Sequence, residues 1–248
     1  MSKKHLVFLH GFLENASMWN SILGRISKSN LQLHFPEIPG HGLRHQLPEA
    51  ITIDAYADDI MSQLDIPNDE KFILVGHSMG GYIGANIAKR YGNRLHALCL
   101  FQSKAGDDDA DKKIARDRAI NAAQENKALY VRTMINGLFH EKNKARLQDL
   151  IDQQITYATS LDVKAITSAL TVMKNRPNEI DSLVHRDFSL FYFLGENDPS
   201  IVLQSVLQEI ENLPGAAYYI EPHIGHMAHF EAPQTAGDFI QRIVRTIV

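Results

Sequence analysis

Short runs of apolar residues punctuate the chain at His5–His10, Leu31–Pro36, Lys71–Gly76, Leu95–Phe101, Phe188–Leu194 and Ala216–Ile220. Most are apolar at consecutive positions rather than at alternate ones. Strands buried on both faces of a parallel sheet read this way, because neither face is left to solvent. Between them lie stretches of helix length, at Ala16–Ile26, Thr52–Leu64, Met79–Tyr91, Ile201–Asn212 and Pro233–Ile247. The last carries Phe239, Ile240, Ile243, Val244 and Ile247 at helical spacing, which makes one apolar face. Alternating β and α elements predict an α/β fold, with a doubly wound, mainly parallel sheet of about six strands and helices on both faces.

The alternation stops between Ser103 and Arg186. No strand pattern occurs there, and several helical patterns follow one another over a stretch longer than an ordinary crossover needs. This predicts a helical cap, residues 103–186, inserted after the fourth strand into a core formed by residues 1–102 and 187–248. The segment opens on "DDDADKKIARDRAINAAQ", whose acidic start suits a helix N-terminus. Adjacent carboxylates at Asp107–Asp109 do not converge on a metal without other ligands, so the run reads as a solvated helix start.

With 44% hydrophobic and 22% charged residues over 248 positions, the composition is that of an ordinary globular protein built on one core. A formal net charge of −4 removes any general attraction to nucleic acid or to an anionic membrane, and small-molecule partners are expected instead. Cys99 is the only cysteine and sits in the apolar "LHALCLF", so no disulfide can form within the chain and a reducing compartment fits. No run approaches the roughly 20 apolar residues that span a bilayer. The start, "MSKKHLVFLHG", has an apolar stretch too short for a signal peptide and no small-residue cleavage site, and a cytoplasmic location is expected. Oligomeric state leaves no signal.

The chemistry begins at "KFILVGHSMGGYIGANIAKRYG", where a strand pattern meets a helix pattern across Gly76-His77-Ser78-Met79-Gly80. This is a G-x-S-x-G sequence, the nucleophile-elbow pattern. By composition alone it should arise in roughly one chain of this length in ten, so its weight comes from the strand–turn–helix setting. A turn this sharp strains the serine backbone, and glycines on either side let strand and helix pass closely.

A serine hydroxyl needs a base and a group that orients the base. Asp198, in the loop after the "FYFLG" strand, and His226, in "EPHIGHMAHFEAP", follow Ser78 in the order Ser, Asp, His. Glu196 and Asp187 remain as other acids, and His223 and His229 as other histidines, read as packing or surface residues. The backbone N–H groups of Phe12, in "LHGF", and Met79 would form a two-donor oxyanion hole. No metal or organic cofactor is called for by this set.

The motifs "LHGF", "PGHG", "GHSMGG", "GENDP" and "GHMAHFEAP", spread from residue 9 to residue 233, resemble those of the α/β-hydrolase superfamily. The likeness is to the small capped group that includes carboxylesterases, enol-lactonases and the menaquinone-pathway synthase. It departs at "IPGHGLRHQ", where many relatives carry a serine and this chain has Leu43 and Arg44, and in starting almost directly on the "HG" strand. The resemblance implies a serine hydrolase acting on a small carboxylic ester, thioester or lactone through an acyl-enzyme. The same triad in this superfamily also serves C–C bond hydrolysis, lyase chemistry and perhydrolysis, and some members keep the fold as ligand-binding or signalling proteins.

The remaining singular residues have plainer readings. His10 and His41 sit beside glycines in turns and are expected to make structural hydrogen bonds. Trp19 is expected in the core. In the cap, Met134, Leu138, Phe139, Tyr157 and Met173 suit either an apolar pocket or packing. Arg116, Arg118 and Arg132 suit either a substrate carboxylate or a solvated helix face.

Overall fold

The computed structural model describes residues 4–27 and 29–247. The reading of the extreme start, Met1–Lys3, and of the last residue of the core, Val248, lies outside the described residues.

Six strands form one sheet: β1 (Lys4–Leu9), β2 (Leu31–His34), β3 (Phe72–His77), β4 (Leu95–Phe101), β5 (Ser189–Gly195) and β6 (Ala217–Glu221). Their order is β2-β1-β3-β4-β5-β6, and every neighbouring pair is parallel. Every residue of β3 is buried, and so are Leu6–Leu9 of β1. That burial on both faces is why these runs carry no polar alternation. The chain leaves β1 for one edge and then crosses to β3 on the other side. The strand order therefore reverses between β1 and β3, and ligands of open α/β sheets bind outside the carboxyl ends of strands at such a point.

The helices flanking this sheet are α1 (Asn20–Leu23), α2 (Ile53–Ser62), α3 (Met79–Tyr91), α10 (Leu203–Glu211), α11 (Ala228–Glu231) and α12 (Pro233–Ile247). Between β4 and β5 lie α4 (Ala110–Glu125), α5 (Lys127–Leu138), α6 (Glu141–Lys144), α7 (Gln148–Ser160), α8 (Val163–Asn175) and α9 (Ile180–Val184). Strand parity separates the two sheet faces. Gly84 of α3 lies over Leu74 and Leu98, which are register partners on one face. Phe239 of α12 meets Phe193 at 5.3 Å between ring centroids, and Phe193 pairs with Phe101 on the opposite face. The doubly wound architecture expected from the apolar runs is the one observed.

Two local expectations change. Ala16–Ile26 holds a 3₁₀ turn, Ala16–Trp19, followed by the single turn of α1, rather than one helix. Its apolar residues point inward all the same: Trp19 is fully buried, with its ring 5.0 Å from that of Phe8 and 5.6 Å from that of Phe101. The acidic run does start α4, with Asp109 as N-cap accepting the Lys112 N–H at 2.8 Å. Asp108 beside it is not solvated. It is 1% exposed and lies between Arg116 and Arg176, because α4 packs on α8 and closes over it. Among the described residues no helix is long and apolar enough to cross a membrane.

Candidate active site

Strand β3 delivers Ser78 at the switch point. Ser78 has φ +50° and ψ −115°, a conformation costly for any residue with a Cβ, by about 1–3 kcal/mol. The surroundings hold it there. Its N–H donates to the Phe101 carbonyl at 3.1 Å, and its own carbonyl accepts the Gly81 N–H at 2.9 Å and the Ser103 hydroxyl at 2.7 Å. The flanking glycines follow from the same crossing: a Cβ on Gly76 would strike the Gly80 backbone, and one on Gly80 would strike the carbonyls of Leu9 and His10.

Asp198 and His226 reach each other from the loops after β5 and β6. The His226 Nδ1 lies 2.7 Å from Asp198 Oδ2, with both side chains buried. A carboxylate there makes Nδ1 the protonated nitrogen and leaves Nε2 with its lone pair. The other carboxylate oxygen, Oδ1, accepts the N–H groups of Ser200 and Ile201 at 2.8 and 2.9 Å, which sets the aspartate's orientation. Of the alternatives, Asp187 and Glu196 are exposed and His223 is an exposed turn residue with φ +60°. His229 is fully buried, which is the packing alternative of its sequence reading.

Phe12 follows β1, whose Leu9 is the register partner of Gly76, so the Phe12 loop and the Ser78 turn emerge side by side. Among the described residues no acceptor takes the backbone N–H of Phe12 or Met79. Met79 begins α3, where the first N–H groups have no partner within the helix. His10 and His41 are structural: His10 accepts the Ile38 N–H at 3.0 Å, and His41 accepts the Leu13 N–H at 3.3 Å. Burial holds the His41 pKa down at about 3, so the ring is neutral.

Three positions that the sequence reading passed over brace these loops. Glu14 Oε2 accepts the Gly11 N–H and lies 2.7 Å from His77 Nδ1, while His77 Nε2 lies 2.9 Å from the His226 carbonyl. Facing an acceptor at each nitrogen favours the imidazolium form. Burial opposes that charge, but the Glu14 carboxylate outweighs it and the His77 pKa is raised. Burial likewise opposes the Glu14 charge, and His77 and then His229 bring its pKa well below the usual carboxylate range. Burial is also the main cause that lowers the His229 pKa to about 4.

The second brace is Gln102, held at φ +45°, whose amide spans the His226 loop by donating to the Gly225 carbonyl and accepting the Ala228 N–H. The third is Glu231. Its Oε1 accepts the N–H groups of Gly225 and Met227 on either side of His226, and its Oε2 accepts the His140 N–H and the Asn143 side-chain amide. Their visible signal was a charged or polar residue inside apolar context: Glu14 in "HGFLEN", Gln102 after "LCLF", Glu231 in "HFEAP".

Ser78 and His226 line one cavity of about 230 Å³ together with Phe12, Glu14 and His77. Lys112, Arg116, Tyr130, Met134, Leu138 and Met173, from the helices between β4 and β5, supply much of the opposite wall. Of the residues whose sequence reading left pocket and plainer roles open, Phe139 is buried and does not line the cavity, Tyr157 donates to the Glu14 carbonyl and accepts the Gly42 N–H, and Arg118 and Arg132 are exposed.

A parallel sheet with this order, a strained serine at its switch point and a buried Asp–His pair beside it define an α/β-hydrolase type of protein. The chain belongs to the alpha/beta hydrolase fold family, whose model matches residues 4–233. Over 101 residues it is 38% identical to the pimeloyl-[acyl-carrier protein] methyl ester esterase of Proteus mirabilis, a match covering 41% of this chain and only 37% of that protein. It is 26% identical to the 2-succinyl-6-hydroxy-2,4-cyclohexadiene-1-carboxylate synthase of Escherichia coli over 97% of this chain and 93% of that one. A thermophilic esterase from Thermogutta terrifontis has the same fold, with TM-score 0.89 at 22% identity over 99% of this chain and 91% of that one.

Proposed function

We propose that the protein is a serine hydrolase that cleaves a small carboxylic ester, thioester or lactone with Ser78 as nucleophile, His226 as base and Asp198 as its orienting acid. The observation that carries this reading is the 2.7 Å contact of Asp198 with His226 Nδ1, on a histidine that shares a cavity with the strained Ser78. His226 Nε2 takes the Ser78 proton as the hydroxyl attacks the carbonyl, and Asp198 stabilises the imidazolium that forms. The N–H groups of Phe12 and Met79 receive the oxyanion; one such donor contributes about 3 kcal/mol to the transition state. Water then attacks the acyl-enzyme with His226 again as base. Residues 103–186 act as a cap over the core formed by 1–102 and 187–248, and contribute the specificity wall. The esterase relative supports ester chemistry.

A second reading, a synthase-type reaction on the same residues, is favoured by the relative that matches along nearly the whole chain. Turnover of activated esters and covalent labelling by a fluorophosphonate test the first reading. Both are expected in the wild type and absent in Ser78→Ala. Labelling that persists in the variant overturns the assignment of Ser78, and a labelled wild type without ester turnover favours the second reading.

A further inference from the structure

The cavity that contains Ser78 has a cationic side. Lys112, Ala115, Arg116 and Ala119 of α4 line it at intervals of three and four residues, so one face of this helix forms the wall. The neighbouring wall is apolar, from Met134, Leu138, Leu170 and Met173. Arg116 uses only Nε within the protein, donating to Asp108 Oδ2 at 3.0 Å, and among the described residues its two terminal amino groups have no acceptor. Its side chain is 12% exposed and lines the cavity.

The charges around it do not balance. Asp108 is shared with the buried Arg176, whose Nη2 donates to Asp108 Oδ1 at 2.8 Å. One carboxylate thus faces two guanidinium groups. The Lys112 ammonium donates to the Ser200 carbonyl at 2.9 Å and has no carboxylate partner among the described residues. Burial and then Arg116 lower the Lys112 pKa, which Asp108 offsets in part. Neither other carboxylate at the site is available: Glu14 faces His77, and Asp198 faces His226 and the Ser200 and Ile201 amides. Unmatched cations beside an apolar wall are unfavourable until an anion joins them.

We propose that the cavity takes esters bearing a carboxylate remote from the scissile bond, held by the terminal amino groups of Arg116 and by Lys112. The planar guanidinium fork matches a carboxylate through two parallel hydrogen bonds, and the lysine adds a point charge. The apolar wall of the same cavity accommodates the chain that joins the two ends of the substrate. This assignment rests on the proposed reading of Ser78 as the nucleophile.

The test separates the two. In a Ser78→Ala background, which leaves the ester intact, calorimetry compares monomethyl adipate with the neutral methyl hexanoate. The anion is expected to bind at least about 10-fold more tightly, and Arg116→Gln to remove roughly 10- to 100-fold of its affinity, since a hydrogen bond to a charged group contributes on that scale. Arg116→Lys should retain part of it. With Ser78 present, the ratio of kcat/KM for the half-ester to that for the neutral ester should fall by the same factor. Acetate esters of ω-hydroxy acids tell whether the carboxylate belongs to the alcohol side or the acyl side, and a preference for either supports the site. Equal affinity for charged and neutral esters, or equal losses of both in Arg116→Gln, overturns it. Anion binding without ester turnover overturns the hydrolase reading alone. Should Arg116→Gln fail to fold, Lys112→Met and Arg116→Lys carry the same comparison.

Discussion

Asp198 Oδ2 and His226 Nδ1 lie 2.7 Å apart, while the second oxygen of the same carboxylate is tied to the amides of Ser200 and Ile201. This division of labour makes Asp198→Asn informative. The amide oxygen can keep the turn, which points the NH₂ at Nδ1 and forces the proton onto Nε2, the wrong tautomer for a base. The expected result is a folded protein with kcat reduced roughly 10⁴-fold. Steady-state kinetics with melting curves check it, and a loss of less than tenfold would remove Asp198 from the reaction.

In the proposed function Ser78→Ala and His226→Ala act on one step. Combining them should cost hardly more than either alone. Multiplicative losses in the double variant would show that the two residues work separately.

Glu14→Gln removes the charge that keeps His77 protonated. The depressed Glu14 pKa stabilises the fold above the unfolded carboxylate value of 4.5, and this is lost as pH falls through the folded value. The raised His77 pKa stabilises below the unfolded value of 6.5, and this is lost as pH rises through the folded one. The stability gap between wild type and variant, on the order of 3 kcal/mol, is therefore widest between these two values and narrows on either side. Denaturant unfolding across pH measures it; a gap independent of pH would mean that the pair is not charged.

Glu231→Ala leaves the Gly225 and His140 N–H groups, each 2.9 Å from the carboxylate, without an acceptor. Each buried orphan costs about 1–3 kcal/mol. Because the same carboxylate brackets His226, kcat should fall roughly 10- to 100-fold even where the variant is fully folded. Glu231→Gln should recover most of the stability and part of the rate.

Met173→Ala and Phe139→Ala should differ in kind. Met173 borders the cavity, and shortening it should shift chain-length preference among acyl esters by about 1–3 kcal/mol of discrimination. Phe139 is 4% exposed and packs elsewhere, so its loss should cost about 3–5 kcal/mol of stability with selectivity unmoved. Ester panels paired with unfolding curves separate the two.

What was legible in the sequence is what is decided locally. A run such as Phe72–His77 must be a doubly buried strand, and the helix expected at Met79–Tyr91 has those bounds, because backbone sterics and apolar periodicity act over a few residues. The Ser78 turn was readable for the same reason: its glycines answer a clash between adjacent elements. Asp198 and His226 could be named from their order along the chain, but their 2.7 Å contact is a property of two loops brought together by the pairing of β5 with β6. Glu14, Gln102 and Glu231 were not legible as braces. Glu14 meets His77 across 63 positions and Gln102 meets Gly225 across 123, and nothing within a local window distinguishes a buried, paired carboxylate from a solvated one. Asp108 shows the converse, an acid that reads as solvated yet is buried between Arg116 and Arg176. Which charges lie in the interior, and which of them lack a partner, depends on the dielectric and the neighbours that only the packed chain creates.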